Sequence, residues 1–175
     1  MKISRRRFIQ STFGFIASLA FFSLTSSLPK RDLVRPPGAL EEEEFLSRCI
    51  RCGMCIDVCP THGLSPATIF DGIVNIGTPK LTGYCMINCL KCTEVCPTGA
   101  LQKITVEELD MGTAVIDTET CRGWLYGTCL RCVQKCPIKA ISAPNRGPVV
   151  DVEKCIGCAQ CISVCPNRPP SIYVI

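Results

Sequence analysis

After one long apolar run near its start, the chain holds apolar residues only in short groups punctuated by turn formers. Residues 8–28 are largely apolar and carry no charge, and they follow a basic start made by Lys2, Arg5, Arg6 and Arg7. This layout predicts a targeting segment over residues 1–28, and its 21 uncharged residues are also long enough for a membrane-spanning anchor. Pro29, Pro36, Pro37 and Gly38 predict a linker over residues 29–44. Its acidic end, 41–44, favours the start of a short helix toward Phe45 and Leu46. Further on, short strands are expected. Residues 69–76 alternate apolar and polar around Asp71-Gly72, and residues 101–106 and 114–117 flank an acidic segment. Residues 140–142 and 149–152 read as a hairpin through Pro144, Asn145, Arg146 and Gly147, and residues 171–175 as a closing strand.

Between these groups lie sixteen cysteines in four sets of four, each closing in Cys-x-x-x-Cys-Pro. The sets are Cys49, Cys52, Cys55 and Cys59 (motif 49–60); Cys85, Cys89, Cys92 and Cys96 (85–97); Cys121, Cys129, Cys132 and Cys136 (121–137); and Cys155, Cys158, Cys161 and Cys165 (155–166). This is the spacing with which bacterial ferredoxins hold a [4Fe–4S] cluster. Three closely spaced thiolates wrap three corners of the cubane, small residues such as Gly53 and Gly157 let the backbone approach, and the proline turns the chain away. The fourth cysteine stands where the chain is expected to enter a short helix. In two-cluster ferredoxins that cysteine ligates the neighbouring cluster, so the motifs pair, either sequentially (first with second, third with fourth) or nested (first with fourth, second with third). The spacing alone allows both.

Four motifs therefore predict four [4Fe–4S] clusters in an α+β fold of tandem ferredoxin-like modules over residues 45–175, with short helices and small antiparallel sheets. Much of the interior is then inorganic and metal binding drives folding. A disulfide-stapled exported structural or binding protein is the distant alternative, but disulfide frameworks do not repeat one spacing with proline in register. Zinc ribbons use paired Cys-x-x-Cys knuckles instead of triplets plus one.

Charge adds compartment rather than chemistry. The four basic residues of the targeting segment account for the whole net charge of +4; residues 29–175 carry fifteen basic and fifteen acidic side chains. No nucleic-acid partner is expected. His62 is the only histidine, so a Rieske centre or a nucleophilic relay has no basis, and no nucleotide-binding glycine loop occurs. No catalytic residue is predicted. Trp124 and Tyr126 lie in the seven-residue gap of the third motif, as packing residues or as a water shield for that site. Ser4-Arg5-Arg6-Arg7-Phe8-Ile9-Gln10 resembles the twin-arginine export signal. That route suits a protein whose clusters are assembled in the cytoplasm, since it must cross the membrane already folded.

Several segments together resemble the NapG/MauM ferredoxin-type family. They are Arg35-Pro36-Pro37-Gly38-Ala39 before the first motif, Arg51-Cys52-Gly53 inside it and Gly77-Thr78-Pro79 before the second. Pro97-Thr98-Gly99-Ala100-Leu101, Met111-Gly112-Thr113-Ala114-Val115 and the long Cys121-x7-Cys129 gap complete the set. One departure is the short step from Cys89 to Cys92, which is longer in the family pattern. The resemblance implies an electron-transfer subunit of a quinol-oxidising complex, exported by the twin-arginine translocase to the periplasmic face of the membrane. Its expected partners are a multi-spanning NapH-like iron–sulfur protein as donor and a periplasmic cytochrome or reductase as acceptor. A four-cluster subunit of a molybdopterin oxidoreductase is the alternative. The resemblance also implies the nested pairing: Cys49, Cys52 and Cys55 with Cys165; Cys85, Cys89 and Cys92 with Cys136; Cys121, Cys129 and Cys132 with Cys96; and Cys155, Cys158 and Cys161 with Cys59.

Overall fold

A computed structural model describes residues 33–144 and 146–175; the expected signal or anchor over 1–28 lies outside them. In chain order the elements are α1 (Glu42–Arg48), α2 (Met54–Asp57), β1 (Leu64–Pro66), two 3-10 turns (Ile69–Asp71 and Ile73–Asn75), β2 (Pro79–Leu81) and α3 (Lys91–Glu94). There follow β3 (Ala114–Ile116), α4 (Arg122–Tyr126), α5 (Arg131–Lys135), β4 (Ile141–Ser142), β5 (Val149–Val150), α6 (Gln160–Ser163) and β6 (Ile172–Val174). The strands form three two-stranded antiparallel sheets, β1–β2, β3–β6 and β4–β5. The expected hairpin and closing strand are present, the latter as β6 on β3.

Each half repeats one plan. Two short cysteine-bearing helices pack together, α2 on α3 and α5 on α6, against a small sheet. Phe45, Leu64, Ala100 and Leu101 bury with Cys55 and Cys92 in the first half; Ala114, Ile141 and Ile172 bury with Cys161 in the second. A third apolar group joins the halves: Leu109, Met111 and Cys158 are buried there, with Val34, Cys85, Leu90 and Ile156 packed on them. Across this seam the Cys85 N–H donates to Cys158 O (2.8 Å) and the Gln160 amide to Cys85 O (3.0 Å). A handful of aliphatic side chains per half is a small core for a domain of this length, and cysteines form part of each.

Four local expectations are corrected. Residues 69–76 are two 3-10 turns instead of a strand, because Asp71 caps the first turn: its Oδ2 accepts from the Thr68 N–H (2.7 Å) and hydroxyl (2.9 Å). Residues 101–106 contribute only a single bridge, Leu101 to Ala39. The motif helices begin at or just before the third cysteine and end before the fourth, since the following Cys-Pro step cannot continue them. Residues 34–44, expected as linker and lead-in, belong to the fold: Pro36 and Pro37 are fully buried, and Arg35 is only 9% exposed.

Arg35 explains why its surroundings carry a signature. Its guanidinium donates to Glu42 (2.9 and 2.5 Å), Thr78 Oγ1 (2.8 Å), Pro79 O (3.0 Å) and Asn75 Oδ1 (3.1 Å), and lies 4.7 Å over the Phe45 ring. The segments at 35–39 and 77–79 therefore meet at one planar cation, which fastens the lead-in and α1 to the connector between the first two motifs.

Candidate iron–sulfur sites

The first and fourth motifs share a loop conformation that their sequences disguise. In the first, the residues before and after the second cysteine, Arg51 and Gly53, have positive φ (58° and 79°). In the fourth the matching residues are Gly157 (65°) and Ala159 (59°). Two left-handed residues bracketing one cysteine curl the chain so that three sulfurs face inward. The glycines differ in need. A methyl at Gly53 would meet nothing within 4 Å, whereas at Gly157 it would lie 2.7 Å from Gly112 O and 2.8 Å from Met111 C. The second and third motifs instead enter their helices through Leu90 and Leu130, at φ −113° and −127°.

Three hollows, each about 360 Å³ when the open solvent at its mouth is counted, are lined by one cysteine quartet apiece. Quartet I is Cys49, Cys52, Cys55 and Cys96; quartet II is Cys85, Cys89, Cys92 and Cys59; quartet III is Cys121, Cys129, Cys132 and Cys165. The remaining sulfurs, Cys155, Cys158 and Cys161 with Cys136, make quartet IV: Cys136 and Cys155 both act on Cys158, and all four join the apolar groups of the second half and the seam. Each motif thus gives its last cysteine to its sequence neighbour. The nested grouping is corrected: Cys59 faces the second motif rather than the fourth, Cys96 the first, Cys136 the fourth and Cys165 the third. The cause is topological. Strands β1–β2 close the first two motifs into one half, and β3–β6 with β4–β5 close the last two, so motifs one and four never share a wall.

All sixteen cysteines are free, which removes the disulfide scaffold. Among the described residues no group of three or more cysteine, histidine, aspartate or glutamate side chains converges tightly enough for a single metal ion. The sulfurs of three quartets stand around a volume, which suits a polynuclear cluster.

The thiols' chemistry fits that occupant. Burial first, then the nearby thiolates Cys92, Cys49 and Cys52, push Cys55 up to about 12. Burial with Cys92, Cys59, Cys89 and Cys158 does the same to Cys85. Cys92 and Cys132 rise to about 11, and Cys161 to about 12, again with burial as the main cause. Sulfurs so placed resist ionising together unless cations sit among them. The fourth cysteines of the first two motifs differ. At Cys59 burial works upward, but the Thr61 hydroxyl and the N–H groups of Gly63, Thr61 and Leu64 outweigh it and lower the thiol below its usual value. At Cys96 burial is likewise outweighed, by the Leu101 and Thr98 N–H groups and the Thr98 hydroxyl. Cys136 accepts the Ala140 N–H at 3.2 Å. The turn after Cys-Pro therefore aims amides at sulfur, the arrangement that stabilises thiolate charge on a cluster.

Other residues singled out from the sequence play smaller parts. His62 is exposed in a left-handed turn (φ 49°). Trp124 packs on Gly147 and donates to Pro148 O (2.9 Å), and Tyr126 is 69% exposed; neither lines quartet III. Arg122 and Arg131 do line it, and Arg168 donates to Cys165 O (2.7 Å), so three arginines stand at this site. Nothing in the motif pattern marked those arginines.

Shared quartets in two halves are the mark of dicluster ferredoxins. Residues 48–100 match one family model of a 4Fe-4S dicluster domain, and residues 80–137 and 114–166 match a second. The chain is 32% identical to the ferredoxin-type protein NapG of Escherichia coli, over 98% of this chain and 85% of that protein. It is 39% identical to the methylamine utilization ferredoxin-type protein MauM of Methylobacillus flagellatus (84% and 70% covered) and 38% identical to MauM of Paracoccus denitrificans (90% and 78%). The chain belongs to the NapG/MauM family of ferredoxin-type iron–sulfur electron-transfer proteins.

Proposed function

We propose that the sixteen cysteines hold four [4Fe–4S] clusters and that the protein relays electrons along them in the order I, II, IV, III. The observation that carries this reading is the nearest-neighbour order of the quartets. Cys55 of quartet I and Cys92 of quartet II are buried in one apolar group, the Cys85 N–H of II donates to Cys158 O of IV (2.8 Å), and Cys161 of IV packs with Cys132 of III. When bound, each cluster supplies a one-electron redox centre. The protein's own residues do the rest. The cysteines fix the sites, the amides after each Cys-Pro hold charge on sulfur, and the seam at Cys85 and Cys158 keeps the inner sites of the two halves side by side. The terminal sites are I and III, so electrons enter at one and leave at the other.

The setting belongs to the same reading. The twin-arginine-like start supports export of the folded, loaded protein to the periplasmic face of the membrane, where residues 8–28 serve as cleaved signal or as anchor. A membrane quinol-oxidising iron–sulfur protein of the NapH type is the proposed donor, and a periplasmic cytochrome or reductase the acceptor. Anaerobic purification with iron and sulfide analysis tests the core of this: about sixteen irons and sixteen sulfides per chain are expected. A value near eight, or a colourless protein, refutes the four-site relay. Co-purification with a large molybdopterin subunit in place of a membrane protein would replace the assigned partner.

A further inference from the structure

The connector between the first two motifs carries a surface unlike an ordinary loop. Ile69 (65% exposed), Phe70 (83%), Ile73 (62%), Val74 (62%) and Ile76 (43%) all point outward within eight residues. The segment's polar side chains do the opposite. Asp71 is buried against Lys80 (2.5 Å) and Thr68, and Asn75 donates to Asp71 O (2.8 Å) and accepts from Arg35. The Lys80 ammonium, hydrogen-bonding Asp71, holds that carboxyl down at about 2, so the fastening stays ionised at any ordinary pH. A solvent-facing loop normally reverses this pattern. Here two 3-10 turns hold an apolar platform against water, the signature of a surface covered in function.

What covers it follows from its neighbour. Arg51 lies between the ligand positions Cys49 and Cys52 and donates to Val74 O (3.0 Å) and Ile76 O (2.9 Å), tying the platform to the rim of quartet I. Ile50 (63% exposed) and Met54 (46%) line the hollow of quartet I and continue the apolar surface, in which Cys52 is itself exposed. A bilayer over this face would place a terminal redox site against hydrocarbon that exchanges no electrons. Among the described residues Arg51 is the single cation between the platform and the rim of quartet I, and a protein with its own redox centre behind a matching, largely apolar face makes use of both features. We infer that the platform at residues 69–76, with Ile50 and Met54, is the docking face for such a redox protein at site I. The inference rests on quartet I being a cluster site, and it distinguishes this end from the arginine-rich end at quartet III.

The test uses full-length holoprotein adsorbed on gold coated with methyl-terminated or carboxylate-terminated alkanethiols, the methyl layer standing in for the partner's face. Wild type is expected to give redox waves on the methyl layer that persist at high salt. In Phe70→Ser/Val74→Ser, the protein concentration for half-maximal electroactive coverage on that layer rises about tenfold or more, the effect of truncating two apolar anchors, at unchanged iron content. Val152→Ser, an exposed apolar position of the second half, changes nothing. Equal coverage curves for wild type and the double variant overturn the inference. So does a double variant that loses binding to phosphatidylcholine–phosphatidylglycerol vesicles with no change at the electrode, which assigns the face to a bilayer. A dimer dispersed by the double variant, again without change at the electrode, assigns it to a second copy and overturns it equally. An iron-free chain gives no wave on any surface and refutes the cluster reading itself, whereas an iron-loaded chain with equal curves refutes only the docking face.

Discussion

Exchange of the last cysteine between sequence neighbours can be counted in iron. Removing Cys165 takes one ligand from quartet III, as does removing Cys121, because both line the same hollow. Cys165→Ala and Cys121→Ala are each expected to damage one site, up to about four of about sixteen irons. The double variant Cys121→Ala/Cys165→Ala damages that same site again and loses no more than either single. Cys49→Ala/Cys165→Ala strikes quartets I and III, which share no wall, and loses the sum of its two singles. The nested grouping reverses these outcomes: Cys49 with Cys165 is then the non-additive pair, and Cys121 with Cys165 the additive one. The assay is iron and acid-labile sulfide per chain after anaerobic purification, with low-temperature EPR to separate three-iron remnants from whole-cluster loss. Since each double is judged against its own singles, the logic survives if losing one site weakens its neighbour. A Cys49→Ala/Cys165→Ala protein with no more loss than its worse single would refute the sequential grouping and the site order built on it.

Two further substitutions probe the frame around the sites. Arg35→Met leaves Pro79 O and Thr78 without their cation inside a buried network and should cost about 3 kcal/mol, read as roughly hundredfold faster cluster bleaching in guanidinium; a change under threefold would show that the contacts carry no stability. Gly157→Ala combines a left-handed backbone with contact against the 111–112 backbone and should destabilise by about 2 kcal/mol or more, whereas Gly53→Ala meets only the conformational cost of about 1 kcal/mol. Equal thermal bleaching midpoints for the two variants would contradict that difference.

What could be read from the sequence was local, and what could not was topological. Ligand spacing is a property of eleven to sixteen consecutive residues, so the four motifs stand out, as do the hairpin around residues 144–147 and the pairing-competent ends at 114–117 and 171–175. Which motif supplies the fourth thiol depends on which strands close the chain, and β1 and β2, three residues each with a proline at one end, carry no strand pattern. Residues 69–76 misled for a related reason. Alternation around Asp71 looks like one polar face of a strand, but Asp71 and Asn75 are four apart, a spacing that also places both on the inner side of two successive turns. Their partners, Lys80 and Arg35, lie nine and forty residues away, beyond the reach of any periodicity.

The same distinction bears on how function is distributed. Sites I and IV share one loop conformation and sites II and III share the other way of entering their helices, yet the fold pairs I with II and IV with III. Local likeness and spatial partnership are therefore independent here. The inner pair, II and IV, meets across a seam made of backbone hydrogen bonds and a few aliphatic side chains, leaving I and III at the ends with different surfaces. One is apolar around an exposed cysteine; the other carries Arg122, Arg131 and Arg168. A relay whose ends were chemically alike could bind its donor and acceptor interchangeably and short-circuit them. In the relay proposed above, unlike ends would prevent that exchange, because a partner shaped for the apolar face gains little from the arginines, and an acidic partner gains nothing from Phe70 and its neighbours.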